Sequence, residues 1–84
     1  MRGKLFSLRE ARENSGISVD ILAALLGISA KRYNTFEHFP DWVDVPAAKR
    51  ISLLISTPVE EIFFGRSSTI SRIYRRQEGK NGEN

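Results

Sequence analysis

The chain has 84 residues, with 13 Lys plus Arg against 10 Asp plus Glu, one His and no Cys, for a formal charge of +3. This length supports one domain with a thin core; the lack of Cys excludes disulfides and thiolate metal sites, and the single His38 cannot alone build a histidine-ligated metal site or a triad-type base network. The longest uncharged run, from Ile21, stops at Lys31 and is too short to span a bilayer, and Arg9 and Glu10 interrupt any signal-peptide core, so a cytoplasmic, non-catalytic protein without cofactor or membrane contact is expected.

Helical spacing dominates, and no useful strand-type alternation appears, so an all-α fold is expected. Leu5, Leu8 and Ala11 give one apolar face of a first helix ending near Ser15-Gly16. Ser18 reads as the N-cap of a second helix with Asp20 in its first turn. Its predicted buried face is Ile21, Leu22, Leu25 and Leu26, and it stops at Gly27. Ser29 caps a third helix running to about His38, with Tyr33 and Phe36 inward. Pro40 breaks the loop Phe39–Asp44, and Pro46 suits the first turn of a fourth helix with Ala47, Ile51, Leu54 and Ile55 inside. Thr57-Pro58-Val59-Glu60 has the form of a capping box and predicts a short fifth helix containing Ile62 and Phe63, closed by Gly65. Ile70, Ile73 and Tyr74 permit a sixth helix over 66–76, and 77–84 reads as disordered.

Charge divides the chain at the same place. Residues 1–64 carry eight basic and eight acidic side chains, so the whole excess lies beyond them. The expected organisation is a folded domain over 1–65 and a basic tail over 66–84.

The informative segment is Ser18 to Glu37. Ala23 is small, Gly27 permits a sharp turn, Ile28 plugs the corner, and Tyr33 and Phe36 anchor the third helix. This is the helix-turn-helix pattern. By elimination Ala30, Lys31, Arg32, Asn34 and Thr35 face outward: compact or polar, two cationic, none acidic. Such a face suits a DNA major groove, and Ser29 with its neighbouring amides offers a helix N-terminus to phosphate.

Leu8 to Ser18, Leu22-Ala23, Leu25 to Ser29 and Val59 to Phe63 together resemble the phage repressor and Cro-like helix-turn-helix family over roughly residues 5–64. The resemblance implies a compact five-helix, lambda-repressor-like domain that binds double-stranded operator DNA as a homodimer, third helix in the major groove. Carried over by position, Ala30, Lys31 and Thr35 touch base edges. Arg32 and Asn34 are phosphate or rim contacts. The same resemblance pairs Arg12 with Glu37. The candidate DNA-binding set is Ser18, Ser29, Ala30, Lys31, Arg32, Asn34 and Thr35. Where the family often has Gln, this sequence has Val19, and its loop Phe39–Asp44 is aromatic and acidic. Those departures keep an alternative open: a protein-interaction module, such as an antirepressor, antitoxin or repressor modulator. Trp42 is then the best partner anchor, although packing over the core edge is its ordinary role. Phe63 and Phe64 cannot both face inward on one helix, so one is expected to cover a dimer contact or meet the tail. His38 is read as a surface residue or helix C-cap.

Overall fold

The structure is a computed structural model, describing residues 5–65 together with Ser68 and Ile70. Four α-helices dominate it: α1 (Leu8–Ser15), α2 (Val19–Leu26), α3 (Ala30–His38) and α4 (Val45–Leu54). Each begins where a short polar side chain replaces a missing backbone partner. The Ser7 hydroxyl accepts from Glu10 N at 3.0 Å while Glu10 Oε1 accepts from Ser7 N at 2.9 Å, a reciprocal cap. Ser18 and Ser29 cap α2 and α3, and Asp44 Oδ1 accepts from Ala47 N at 3.0 Å to start α4. Gly16 and Gly27 end α1 and α2 in the left-handed conformation. Among the described residues, no helix is long and apolar enough to cross a membrane.

Leu8, Ala11, Leu22, Ala23, Tyr33, Val43, Ala48, Ile51 and Ile55 form the centre of one core, completed by Val59, Ile62, Phe64 and Ile70. Burying a side chain such as Leu8 or Ile51 contributes about 1.5–3 kcal/mol. Ser68 is buried as well, and its hydroxyl accepts from Ile70 N at 3.1 Å. Thus two positions beyond Gly65 belong to the packed interior. The rest of the expected sixth helix over 66–76, and the segment 77–84, lie outside the described residues.

The expected fifth α-helix does not form. Pro58 instead leads into a single 3₁₀ turn, Val59–Glu61, and the chain then extends as β2 (Ile62–Phe63). β2 pairs in parallel with β1 (Phe6–Ser7), in the register Phe6 to Ile62 and Ser7 to Phe63. The Thr57 hydroxyl donates to Ile55 O at 3.2 Å, so it does not cap the next turn. The β-branched and aromatic pair Ile62–Phe63 suits a strand once Phe6–Ser7 offers a ladder partner. This also corrects the first helix, which starts at Leu8; Leu5 lies ahead of β1. Phe64 is fully buried and Phe63 half-buried, so the two rings are separated by strand geometry, not by a helix.

The second helix needs a further correction. Leu22 and Ala23 are buried, but Ile21 and Leu25, both expected inside, are 56% and 50% exposed. Only Asp20 among the eight residues of α2 is polar, so apolar spacing could not tell which side meets the core. The chain turns Leu22 and the small Ala23, not Ile21 or Leu25, to the interior.

Candidate nucleic-acid interface

The segment from α2 to α3 is built by backbone chemistry. Gly27 has φ +78°, and a Cβ there would meet nothing within 4 Å. Glycine is therefore required for the backbone angle, not for space. Gly27 N donates to Ala24 O at 3.1 Å and Ile28 N to Ala23 O at 3.0 Å, which closes the end of α2. Two residues later the Ser29 hydroxyl accepts from Arg32 N at 3.0 Å and α3 begins.

Two features fix which side of α3 faces out, the burial of Tyr33 and the tie from Glu37 to Arg12. Tyr33 is fully buried, and its ring meets Phe36 edge-on at 6.3 Å and 76°. Glu37 accepts from Arg12 Nε at 2.6 Å and, at the limit of hydrogen bonding, from Nη2 at 3.5 Å. Arg12 Nη1 donates in addition to Ile17 O at 2.9 Å. The two charged side chains are only 10% and 8% exposed, so this pairing, expected from the family resemblance, is a buried clamp between α1 and α3. The hydrogen bond to Glu37 holds the Arg12 guanidinium above its ordinary range against the opposing effect of burial. The Tyr33 hydroxyl is buried without a hydrogen-bond partner among the described residues. Burial, then the neighbouring Glu37 carboxylate, pushes its phenol far above the ordinary tyrosine range.

With Tyr33 and Glu37 turned inward, the exposed side carries Lys31, Arg32, Asn34 and His38. At about 100° per residue, Lys31, Asn34, Thr35 and His38 fall within an arc of about 100°, with Arg32 on its flank. Thr35 is half-buried and its hydroxyl donates to Lys31 O at 3.2 Å. Ala30 is half-buried and packs against the core, so it is less outward than elimination suggested. Ser18 and Ser29 are exposed, but both hydroxyls already serve as caps. The structure thus brings Lys31, Arg32, Asn34 and Thr35 to one helix, with Ser29 at its start, and sets Ser18 at the start of α2. His38 is the residue that sequence reasoning left off this face; its spacing of seven from Lys31 was the available signal. The His38 Nδ1–H donates to Asn34 O at 3.0 Å, which makes Nε2 the acceptor nitrogen in the neutral ring.

The outer arc of α3 has no carboxylate, since Glu37 is engaged by Arg12. Among the described residues Lys31 and Arg32 enter no ion pair; the pairs present are Arg9 with Glu13 and Arg12 with Glu37. Nor do the described residues bring together three His, Asp or Glu side chains suited to a metal ion. Compared with protein-family models, with curated proteins and with solved structures, the chain matches none.

Proposed function

We propose that the chain is a sequence-specific DNA-binding regulator of the repressor/Cro type that places α3 in the major groove. The observation that carries this reading is the carboxylate-free outer arc of α3, mounted on a rigid footing. Lys31 and Arg32, without an ion pair among the described residues, accompany Asn34 and Thr35 there, while Tyr33 and the buried Arg12–Glu37 pair hold the opposite side. The arrangement α2–Gly27–α3 corresponds to the helix-turn-helix element of that family, here with four α-helices among the described residues where the family has five. Lys31 donates to guanine O6 and N7, Thr35 offers its methyl to thymine, and Asn34 and Arg32 reach the rim or the phosphates. The first-turn amides of α3 favour phosphate through the helix dipole. One helix of nine residues reads only a few base pairs. We therefore propose a homodimer on two half-sites about 34–36 Å apart, with no catalytic step.

Selection from random duplexes supplies a site, and electrophoretic mobility then tests the face. Lys31→Ala is expected to weaken the selected site by about 1–3 kcal/mol and nonspecific duplex much less. Arg32→Ala should weaken all sequences alike and make the salt slope shallower by about 0.9. Absence of any shift at low salt, with the helical circular dichroism intact, refutes the proposal.

A further inference from the structure

A second surface adjoins α3 but has the opposite charge. Pro40–Trp42 forms a single 3₁₀ turn, held by Trp42 N donating to Phe39 O at 2.9 Å and Val43 N to Pro40 O at 3.1 Å. Val43 is buried and pins the turn to the core. In 3₁₀ geometry side chains three apart eclipse one another, so Phe39 and Trp42 are brought into register. Their rings stack at 4.9 Å with an angle of 19°. Yet the stack stands in solvent, Phe39 53% and Trp42 65% exposed. From Glu37 to Ala48 the sequence has three carboxylates and no Lys or Arg. Arg12 takes Glu37, which leaves Asp41 and Asp44, one and two residues from Trp42 in the chain, without an ion pair among the described residues, the Asp41 carboxylate lying against Gly65 and Asp44 Oδ1 capping α4.

We propose that the Phe39–Trp42 stack is a docking platform for an arginine side chain presented by a protein partner. The exposed ring faces attract a cation through their quadrupoles, and a guanidinium plane stacks on an indole better than an ammonium does. Asp41 and Asp44 add charge complementarity and repel a phosphate backbone, so a nucleic acid is the wrong occupant. The stack is preorganised by two backbone hydrogen bonds, so little conformational entropy is lost on docking. Docking at this platform is independent of DNA binding by α3.

Trp42 is the only tryptophan in the chain, so its fluorescence reports the site directly. The full chain is titrated with a short neutral-backbone peptide carrying two arginines, and with its lysine and citrulline counterparts. Saturable quenching is expected with arginine, several-fold weaker with lysine and lost with the uncharged citrulline. Asp41→Asn with Asp44→Asn should weaken the arginine response at least five-fold; Asn at position 44 keeps the α4 cap. Amide shifts in NMR should centre on residues 38–44. Equal quenching by citrulline, or none by arginine at millimolar concentration, overturns the proposal. So does a Trp42 spectrum that responds only to protein concentration, which assigns the stack to a second copy. Quenching by duplex DNA that strengthens in the double Asn variant assigns it to nucleic acid and overturns it as well.

Discussion

Replacing Arg12 with Met tests whether the clamp between α1 and α3 sets the pose of the outer face. The substitution keeps the length and apolar stem of the side chain while removing the guanidinium. It deletes the bonds to Glu37 and to Ile17 O together, and strands a carboxylate whose side chain is 8% exposed. Breaking a buried pair from one side costs about 3–5 kcal/mol. At about 0.05–0.15 kcal/mol per residue, an 84-residue chain has about 4–13 kcal/mol of stability in all. The variant should therefore lose at least about a quarter of its stability. Glu37→Met should cost less, about 2–3 kcal/mol, because Arg12 keeps its bond to Ile17 O. The double variant leaves no charge stranded, and its loss should fall well short of the two single losses combined, with a coupling energy of at least about 2 kcal/mol. Urea titrations followed by far-ultraviolet circular dichroism measure all four proteins; Trp42 emission is a poor monitor because the indole already sits in water in the folded state. A cost below about 1 kcal/mol for Arg12→Met, or additive single losses, would show that the pair behaves like an exposed one and does not set the pose of α3.

Three other outcomes rest on local features. Ser56 has φ +54° just after α4, a conformation that costs a non-glycine residue about 1–2 kcal/mol, so Ser56→Gly should raise stability, read from the urea midpoint, by about 0.5–1 kcal/mol. Tyr33→Phe removes a buried hydroxyl that lacks a partner among the described residues and should leave stability at neutral pH unchanged or up to about 1 kcal/mol higher. Because the fold raises the Tyr33 pKa above 10.0, the neutral phenol's contribution is intact below about pH 10, where the unfolded chain also keeps its proton. It is lost above that at about 1.36 kcal/mol per pH unit; alkaline titration of stability should show a shallower decline for the Phe variant. Gly27→Ala should cost about 1–2 kcal/mol from backbone angle alone, and Gly65→Ala, at φ +98°, about the same, since its Cβ would displace only the end of the exposed Asp41 side chain; parallel thermal melts check the match.

The parts of the fold written in neighbouring residues were legible in the sequence. Ser18, Gly27 and Ser29 act within one turn of themselves, so their roles as caps and stop could be read from order alone. The Ser7–Glu10 box is equally local, but the expected helix took in Leu5 ahead of it, whereas the box marks Leu8 as the start of α1. The misreadings were long-range. Ile62–Phe63 becomes a strand only because Phe6–Ser7 lies beside it, and a two-residue ladder is too short to leave an alternating pattern. The inner face of α2 depended on what packs against Ala23, which a nearly all-apolar helix does not disclose. At the outer face of α3, Lys31, Arg32 and Asn34 were exposed as elimination required, but Ala30 and Thr35 were half-buried. His38 joined the face because the helix keeps its period through its last residue.

The ladder between β1 and β2 has a kinetic corollary. Register Phe6 to Ile62 means that α1 to α4 all lie within the loop those two residues close. Zipping so distant a pair costs a loop-closure entropy of about 3–4 kcal/mol plus a constant, and two residues of parallel pairing cannot supply that by themselves. The helices must therefore dock first, and the seam is sewn late. Substitutions at Phe6 or Ile62 should accelerate unfolding while leaving the folding rate almost untouched.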